Sequence, residues 1–256
     1  MKRILVIGEA CSDVFEYGAC TRLNPEAPTP VFVSEYTTQA GGMAKNVFNN
    51  IESIIGDTND SLTLLSQDSG EIIKHRFVDK SSNYILLRVD KDGPVEKFNI
   101  DDTTKQLIIE ADVVIVSDYN KGFLTESDLS KISNLARVSF LDTKKSLDEW
   151  AKDFTFIKIN KKEFDNPAHS QRFISLYGDH LIVTLGEEGA RVGTQLVASE
   201  SKVQVKDVSG AGDTFLAALA VDYLESDDIV HAVKYANSCA ALAVSQRGVV
   251  SVGNLL

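Results

Sequence analysis

Residues 209–213 read Ser-Gly-Ala-Gly-Asp, and these residue types suit phosphate chemistry. Two glycines allow the backbone to approach a ligand closely and to turn its N–H groups toward it. Residues 214–220 contain neither Gly nor Pro and are rich in helix formers, so the glycine turn is expected to open a helix. Such a helix start binds anions, because its first N–H groups lack helical partners and the helix dipole favours negative charge there.

A carboxylate directly after this turn needs a reason, since a phosphate would repel it. Asp213 makes sense there if it takes a proton from a hydroxyl group that attacks the phosphate. The alternative is a capped buried helix in which Asp213 only stabilises the N-terminus. The residues expected at the reacting centre are Gly210, Ala211, Gly212 and Asp213.

Composition narrows the class of protein. The chain has 256 residues, of which 43% are hydrophobic, so a large core is available. The formal net charge of −11 argues against nonspecific binding to nucleic acid or to an anionic membrane. It leaves open a phosphorylated small substrate, which needs only local basic residues. The apolar run at residues 4–7 is too short for a signal peptide.

Cysteine and histidine patterns suggest no metal centre. The three cysteines show neither metal-ligand spacing nor a disulfide framework, which favours a reduced, cytoplasmic setting. The four histidines form no pair at metal-ligand spacing. No Gly-x-x-x-x-Gly-Lys-[Ser/Thr] loop occurs and no Gly-x-Gly-x-x-Gly follows the first strand, which disfavours P-loop kinases and Rossmann dehydrogenases.

Short apolar runs alternate with longer helical patterns, which is typical of an α/β fold with a mostly parallel sheet covered by helices on both faces. The expected strands are 4–7, 113–116, 138–141, 156–159 and 181–185, and the expected helices are 43–55, 213–224 and 229–246. Residues 31–36 and 84–89 break this alternation. They predict a small β-lid over a substrate cleft, or alternatively an edge hairpin. We expect one domain over 1–256, with lid strands within about 14–36 and 76–98.

Several segments together resemble one family. The segments are Gly-Glu at 8–9 with Asp13, Thr-Arg-Leu-Asn-Pro-Glu-Ala-Pro-Thr-Pro-Val at 21–31, Gly-Gly-Met-Ala-Lys-Asn at 41–46, Ser-Asp-Tyr-Asn-Lys-Gly at 117–122 and Leu-Asp-Thr-Lys at 141–144. With Gly-Ala-Gly-Asp at 210–213, they resemble the PfkB/ribokinase family of carbohydrate kinases, and most of all the kinases of D-glycero-D-manno-heptose 7-phosphate.

The chain departs from that family pattern in three places. Glu9 stands where the heptose kinases commonly carry aspartate. The stretch 56–76 is much shorter than usual and is expected to lack a strand–helix unit and part of a second. The region 164–180 is also compact. These departures bear more on the identity of the substrate than on the phosphoryl chemistry.

The resemblance implies an ATP-dependent sugar kinase with Mg²⁺, and it assigns residues to roles. The implied sugar-binding residues are Asp13, Gly41, Gly42, Asn46 and Arg88. The implied nucleotide and phosphate residues are Lys158, Asn160, Thr184, Gly186, Gly189 and Asn237. Glu163, three residues after Asn160, is implied to act on Mg²⁺, through water if not directly. The basic candidates for a substrate phosphate are Arg22, Arg76, Arg88, Lys121 and Lys144.

Each of these assignments has a simpler alternative. Gly41 and Gly42 could form a turn before a helix, and Asp13 could be a solvated loop acid. Asn160 and Glu163 could belong to an ordinary charged helix start, and Asn237 could be a packing amide. The activity expected is transfer of the γ-phosphoryl group of ATP to a sugar hydroxyl, that of C1 of the heptose 7-phosphate. The alternatives are a kinase of another sugar or a noncatalytic binding protein. Pairing of two lids predicts a homodimer.

Overall fold

The computed structural model describes residues 1–67 and 71–256. Its larger sheet has eight strands in the order β12-β11-β10-β9-β8-β7-β1-β4. The six strands from β10 to β4 are parallel, and β11 and β12 add an antiparallel edge. The strands are β1 (Arg3–Gly8), β4 (Ser61–Leu65), β7 (Val113–Asp118), β8 (Ser139–Thr143), β9 (Phe156–Asn160), β10 (Leu181–Thr184), β11 (Ala190–Val192) and β12 (Gln195–Val197).

A second sheet of four strands forms the lid, in the order β3-β2-β5-β6. Its strands are β2 (Ala10–Leu23), β3 (Pro30–Met43), β5 (Ile72–Asp79) and β6 (Ile85–Asp92). β2 pairs antiparallel with β3 and parallel with β5. Both edges of the lid carry exposed apolar side chains, which a sheet of this size cannot bury by itself.

Helices cover the larger sheet. They are α1 (Ala44–Ile55), α2 (Asp102–Glu110), α3 (Glu126–Leu135), α4 (Lys161–Phe164), α5 (Gln171–Tyr177), α6 (Ala211–Ser226) and α7 (Ile229–Val244). One apolar cluster joins the sheet to α1, α6 and α7, and a second joins it to α2, α3 and α5. The sheet is therefore buried on both faces, as its continuous apolar strands predict.

The first half of α6 is buried on all sides. Residues 213–220 all have exposed fractions of at most 5%, because α6 lies between α1 and α7. Small side chains such as Ala217 and Ala218 allow this close packing. The N-terminus of α6 is thereby fixed to the rigid core, which suits a reacting centre that needs exact placement.

Several predicted boundaries were wrong. α6 begins at Ala211 rather than at residue 213, and α7 ends at Val244 rather than at 246. The lid strands are longer than predicted, and Asp13 lies within the continuous strand β2 rather than in a loop. Residues 68–70 of the shortened stretch 56–76 lie outside the described part of the chain. No helix within the described part is long and apolar enough to cross a membrane.

Candidate active site

Asp213 lies in the first turn of α6 with an exposed fraction of 5%. Its two carboxylate oxygens each accept one hydrogen bond, Oδ2 from Asn46 Nδ2 at 3.0 Å and Oδ1 from the Tyr119 hydroxyl at 2.8 Å. Burial raises the pKa of Asp213, and the nearby Asp142 adds to the rise, whereas the two donors and Lys158 oppose it. The carboxylate is therefore oriented and more basic than an exposed aspartate.

The glycine turn before Asp213 has the geometry of an anion site. Gly210 caps α6 in the left-handed conformation at φ 78°, and a Cβ atom there would lie 2.7 Å from Asn46 Nδ2. Ala211 N–H contacts Val208 O at 3.3 Å. At Gly212 the neighbour is a cation, since an added Cβ would lie 2.9 Å from Lys158 Nζ. The Lys158 ammonium group therefore lies beside the first turn of α6, where the helix dipole favours an anion.

Lys158 is almost fully buried on β9 and donates to Asp142 Oδ2 at 2.7 Å. Asp142 ends β8, next to β9 and β7 in the sheet. A buried ammonium needs such a partner, because desolvation of an unpaired charge costs several kcal/mol. The Lys158–Asp142 pair therefore places a positive charge beside the glycine turn, although the pair as a whole is neutral.

The predicted sugar-binding residues lie together where the lid meets the core. Asp13 on β2 is buried and forms an ion pair with Arg76 of β5. Gly42 lies against it, and a Cβ atom at this position would be 2.0 Å from Asp13 Oδ2. Gly41 lines a cavity of about 750 Å³ together with Ser12 and Lys45. Glycine is needed at Gly42 for space rather than for a turn, since it lies within β3.

Asn46, predicted to bind the sugar, is hydrogen-bonded to Asp213. It lies in α1 and donates to Asp213, while its Oδ1 accepts from Asn50 Nδ2 at 3.0 Å. Asn50 Oδ1 in turn accepts from Val252 N at 2.9 Å and from Thr214 Oγ1 at 3.3 Å. This buried amide chain joins α1 to the start of α6 and fixes the Asp213 side chain.

Most basic candidates for a substrate phosphate already have acidic partners. Arg88 is exposed and forms a bidentate pair with Asp90, Arg76 pairs with Asp13, and Lys121 with Asp92. Lys144 pairs with Glu163. Arg22 lies at the exposed end of β2, far along the strand from Asp13.

The predicted nucleotide residues lie at one edge of the sheet. Thr184 ends β10, next to Asn160 of β9, and a short turn of helix runs from Gly186 to Glu188. Gly189 has φ 99°, and a Cβ atom there would lie 2.4 Å from Val197 O. Asn237 of α7 donates to that same carbonyl at 3.0 Å, which is the packing role that the alternative interpretation described.

Asn160 and Glu163 form a reciprocal capping box at the start of α4. Glu163 N donates to Asn160 Oδ1, and Asn160 N donates to Glu163 Oε2, both at 2.9 Å. Glu163 Oε1 contacts Lys144 Nζ. With both oxygens engaged, Glu163 fits a hydrated Mg²⁺ reached through water better than direct ligation. No group of three or more His, Cys, Asp or Glu that could hold a metal occurs in residues 1–67 and 71–256.

Two residues of this site, Tyr119 and Asp142, stand in segments quoted for the family resemblance but were given no role there. Tyr119 directly follows β7 and Asp142 is the next-to-last residue of β8, and these strands adjoin β1 and β9. The carboxyl ends of adjacent parallel strands meet at one edge, where ligands of open α/β sheets bind. A polar residue at the end of each apolar run was the signal that could have found them.

Comparison with known proteins shows similarity to carbohydrate kinases and to HldE proteins. Residues 129–254 match the model of the pfkB family carbohydrate kinase. The bifunctional protein HldE of Rhodopseudomonas palustris strain BisB5 is 31% identical over 300 residues, covering 97% of this chain and 61% of the relative. For HldE of Helicobacter pylori strain J99 the identity is 29%, with 97% and 64% covered. The chain therefore spans about three fifths of these curated relatives.

Solved structures share the fold. Ribokinase from Thermotoga maritima superimposes with a TM-score of 0.71 at 17% identity, covering 97% of this chain and 95% of that chain. Phosphofructokinase-2 from Escherichia coli gives 0.70 at 15%, covering 97% and 94%. The fold is thus ribokinase-like.

Residues 129–254 are thus similar to the pfkB family of carbohydrate kinases, and the HldE relatives align with nearly the whole chain. An alignment of 300 positions with a chain of 256 residues leaves segments of the relative unmatched, which agrees with a fold that is shortened relative to these relatives.

Proposed function

We propose that this protein transfers the γ-phosphoryl group of ATP to the C1 hydroxyl of D-glycero-D-manno-heptose 7-phosphate. One observation carries the proposal: the buried Asp213 carboxylate lies in the first turn of a helix whose glycine N-terminus faces the Lys158 ammonium. This arrangement places a proton acceptor next to a site for transferring phosphate oxygens.

In the proposed reaction, the oxygen of the sugar hydroxyl forms a bond to the γ-phosphorus of ATP. The bond between that phosphorus and the β–γ bridging oxygen breaks, and ADP leaves with the electron pair of that bond. The hydroxyl proton passes to Asp213. Backbone N–H groups at Gly210 and Gly212, with Lys158, stabilise the negative charge on the transferring group. The helix start is rigid, so these groups need no rearrangement during the reaction.

Mg²⁺ supplies further charge neutralisation to the phosphates in this proposal. Glu163 would order waters of the ion, and Thr184, Gly186 and Gly189 would flank the nucleotide. Lys144 lies between Glu163 and Asp142, within reach of phosphate oxygens on either side. The alternative that these side chains only cap and pack elements predicts no effect of their loss on nucleotide affinity.

The choice of a heptose phosphate rests on the sequence motifs of residues 21–31 and 117–122, together with the HldE relatives matched over nearly the whole chain. The cavity of about 750 Å³ between lid and core has room for a phosphorylated sugar. Lys45 lines it, and its ammonium lies over the Phe48 ring, 4.2 Å from the ring centroid. A kinase of another sugar phosphate would use the same reacting groups.

Formation of ADP with a panel of sugars tests the proposal. The panel contains the heptose 7-phosphate, the same heptose without phosphate, ribose and fructose 6-phosphate. We expect the highest kcat/KM with the heptose 7-phosphate and a product phosphorylated at C1 by ³¹P NMR. A preference for another sugar would overturn the substrate assignment alone. Thermal shifts with sugar and ATP but no ADP release would instead support the noncatalytic binding protein.

A homodimer formed through the lid, in a cytoplasmic setting, completes the proposal. Exposed apolar side chains concentrate on the edge strand β6 and the turn before it: Tyr84, Ile85, Leu86, Leu87 and Val89. Pairing of two lids would bury this strip and give the edge strand a hydrogen-bonding partner.

A further inference from the structure

We infer that Tyr119 is a positioning residue for Asp213, and that Glu9 clamps the loop that presents it. The Tyr119 hydroxyl fixes the orientation of the Asp213 carboxylate and keeps it ionised. This inference rests on the proposed role of Asp213 as the base and adds to it a device for setting the pH range of the reaction.

The first support is the geometry at the carboxylate. Tyr119 donates to Oδ1 and Asn46 to Oδ2, at 2.8 and 3.0 Å. Two donors on different oxygens prevent rotation of the carboxylate about χ2. Each oxygen accepts only one hydrogen bond from these partners, so each keeps capacity to accept the sugar hydroxyl.

The second support is the conformation of the loop 119–123. Gly122 has φ 103°, which glycine adopts freely, whereas Asn120 has φ 56°, a left-handed conformation that costs some free energy in any residue other than glycine. Contacts from the surroundings must offset that cost. This loop therefore needs a clamp if it is to place a hydroxyl group within hydrogen-bonding distance of Asp213.

Glu9 provides that clamp. Its fully buried carboxylate accepts backbone N–H groups from Tyr119 and Lys121, both at 2.9 Å, and from Phe123 at 3.3 Å. Asp118 adds a fourth contact, since its Oδ1 accepts from Asn120 N at 3.0 Å. Charge-assisted hydrogen bonds of this kind are stronger than neutral ones.

Glu9 is also the position at which the chain departs from the aspartate of the heptose kinases. The longer side chain reaches three N–H groups of one loop. In this chain the departure therefore serves the site, although sequence analysis gave it no role.

Two lysine ammonium groups lie close to the Tyr119 ring. Lys74 of β5 lies 4.7 Å from its centroid and Lys144 lies 5.3 Å from it. The ring also packs against a buried cluster containing Cys11, Met43 and Ile72. Five titratable groups interact electrostatically with Asp213: Cys11, Tyr119, Asp142, Lys144 and Lys158. Of these, Tyr119 donates a hydrogen bond to the carboxylate, which favours its charged form.

Loss of the Tyr119 hydroxyl should raise the pKa of Asp213. Desolvation raises the pKa of Asp213 and the Tyr119 hydroxyl lowers it. Deleting that hydroxyl removes a lowering contribution, so the pKa rises and the carboxylate becomes protonated at higher pH. Because the reaction needs the ionised form, the acidic limb of the pH–rate profile must move to higher pH.

The central test is the pH dependence of kcat for Tyr119→Phe. We expect the acidic limb to move up by about one pH unit, the size of one hydrogen bond to a charged group. The control is Tyr223→Phe, at the other end of α6, where the hydroxyl is near Asp227. That variant should leave the profile where it was.

Glu9→Gln tests the clamp. An amide presents a donor where one carboxylate oxygen accepted, so at least one loop N–H group loses its partner. We expect a shift of the limb in the same direction as that of Tyr119→Phe. The double variant should shift no further than Tyr119→Phe alone, because both changes act through one hydroxyl. Additive shifts would show that Glu9 acts by a separate route and would overturn the clamp.

A spectroscopic measurement is independent of turnover. In protein labelled with 3-fluorotyrosine, one ¹⁹F resonance should titrate with Asp213 and stop titrating in Asp213→Asn. This result would stand even if no sugar were phosphorylated, which separates the inference from the proposed function. An unchanged kcat limb in Tyr119→Phe, or no tyrosine resonance linked to Asp213, would refute the role of Tyr119.

Discussion

At the scale of single residues, Asp213 shows a conflict between stability and chemistry. Its carboxylate is buried beside Asp142, which favours the neutral acid, yet a base must be ionised. Asn46, Tyr119 and Lys158 offset part of this cost. A group whose pKa is raised by folding destabilises the protein once the pH exceeds that pKa, so at neutral pH Asp213 lowers the free energy of unfolding.

Asp213→Asn should therefore separate activity from stability. We expect turnover to fall by about 10² or more, the usual scale for loss of a general base. The midpoint of denaturant unfolding at pH 7 should stay the same or rise, since Asn can still accept from Asn46 and the Tyr119 hydroxyl can rotate to accept. The difference should shrink as the pH falls through the pKa of Asp213. Near-normal turnover would show that another group is the base.

Gly42 offers a second test, because its hydrogen atom faces the buried Asp13 carboxylate. Gly42→Ala would place Cβ 2.0 Å from Asp13 Oδ2, which Arg76 holds in place. We expect a loss of about 1–3 kcal/mol in the free energy of unfolding, as for overpacking, and a weaker thermal shift with sugar. The control is Gly178→Ala, where no heavy atom lies within 4 Å of the added Cβ. Equal effects of the two changes would contradict the close packing.

Local sequence was enough to predict the glycine turn and Asp213, because the relevant residues are adjacent in the chain. It was not enough for Tyr119, which is 94 residues from its partner Asp213. That contact depends on the order of β1, β7 and β8 in the sheet, and apolar runs reveal strands but not their order. The same holds for the pair of Asp142 with Lys158.

At the scale of elements, buried strands were predicted well because both of their faces are apolar. α2 was missed because Ile108 is its one buried residue, so its apolar stripe is weak. α3 carried a signal that was not used, since Thr125 and Asp128 form a capping box at its start. The length of the lid strands could not be predicted from the sequence pattern. For example, β6 is exposed along its whole length and lacks an apolar–polar alternation.

α4 allows a test of the Mg²⁺ proposal without loss of the helix start. Glu163→Gln keeps an oxygen that can accept from Asn160 N, so the capping box survives. It removes the negative charge that would order waters of the ion. We expect a several-fold higher Mg²⁺ concentration for half-maximal activity and little change in thermal stability.

The matched control for this test is Asp165→Asn at the exposed end of the same helix, where Asp165 pairs only at the surface with Lys161. It should leave the Mg²⁺ requirement unchanged. If both variants behaved alike, Glu163 would have no specific role toward the ion.

At the scale of the whole molecule, the lid leaves an apolar edge exposed. Leu87 and Val89 of β6 lie opposite Phe77 and His75 of β5, and both leucine and valine are about half exposed. We expect sedimentation at micromolar concentration to show a dimer and Leu87→Asp to give a monomer, because a carboxylate would have to be desolvated in the interface.

Ile109→Asp is the control for this prediction, since Ile109 is similarly exposed on α2, away from the lid. It should leave the dimer intact. A wild-type protein that sediments as a monomer would contradict the lid dimer and leave the kinase proposal standing.

Two of the connections between lid and core lie side by side at Glu9 and Ala44. The chain leaves β1 for β2 through Glu9 alone, and β3 passes directly into α1, with Met43 at φ 60°. One hydrogen bond, from Ala44 N to Glu9 O at 2.9 Å, ties these two connections together. Glu9 therefore lies where the chain passes from core to lid, and its side chain also grips the Tyr119 loop. Any movement of the lid on a bound sugar would be transmitted through this one residue to the loop that orients Asp213.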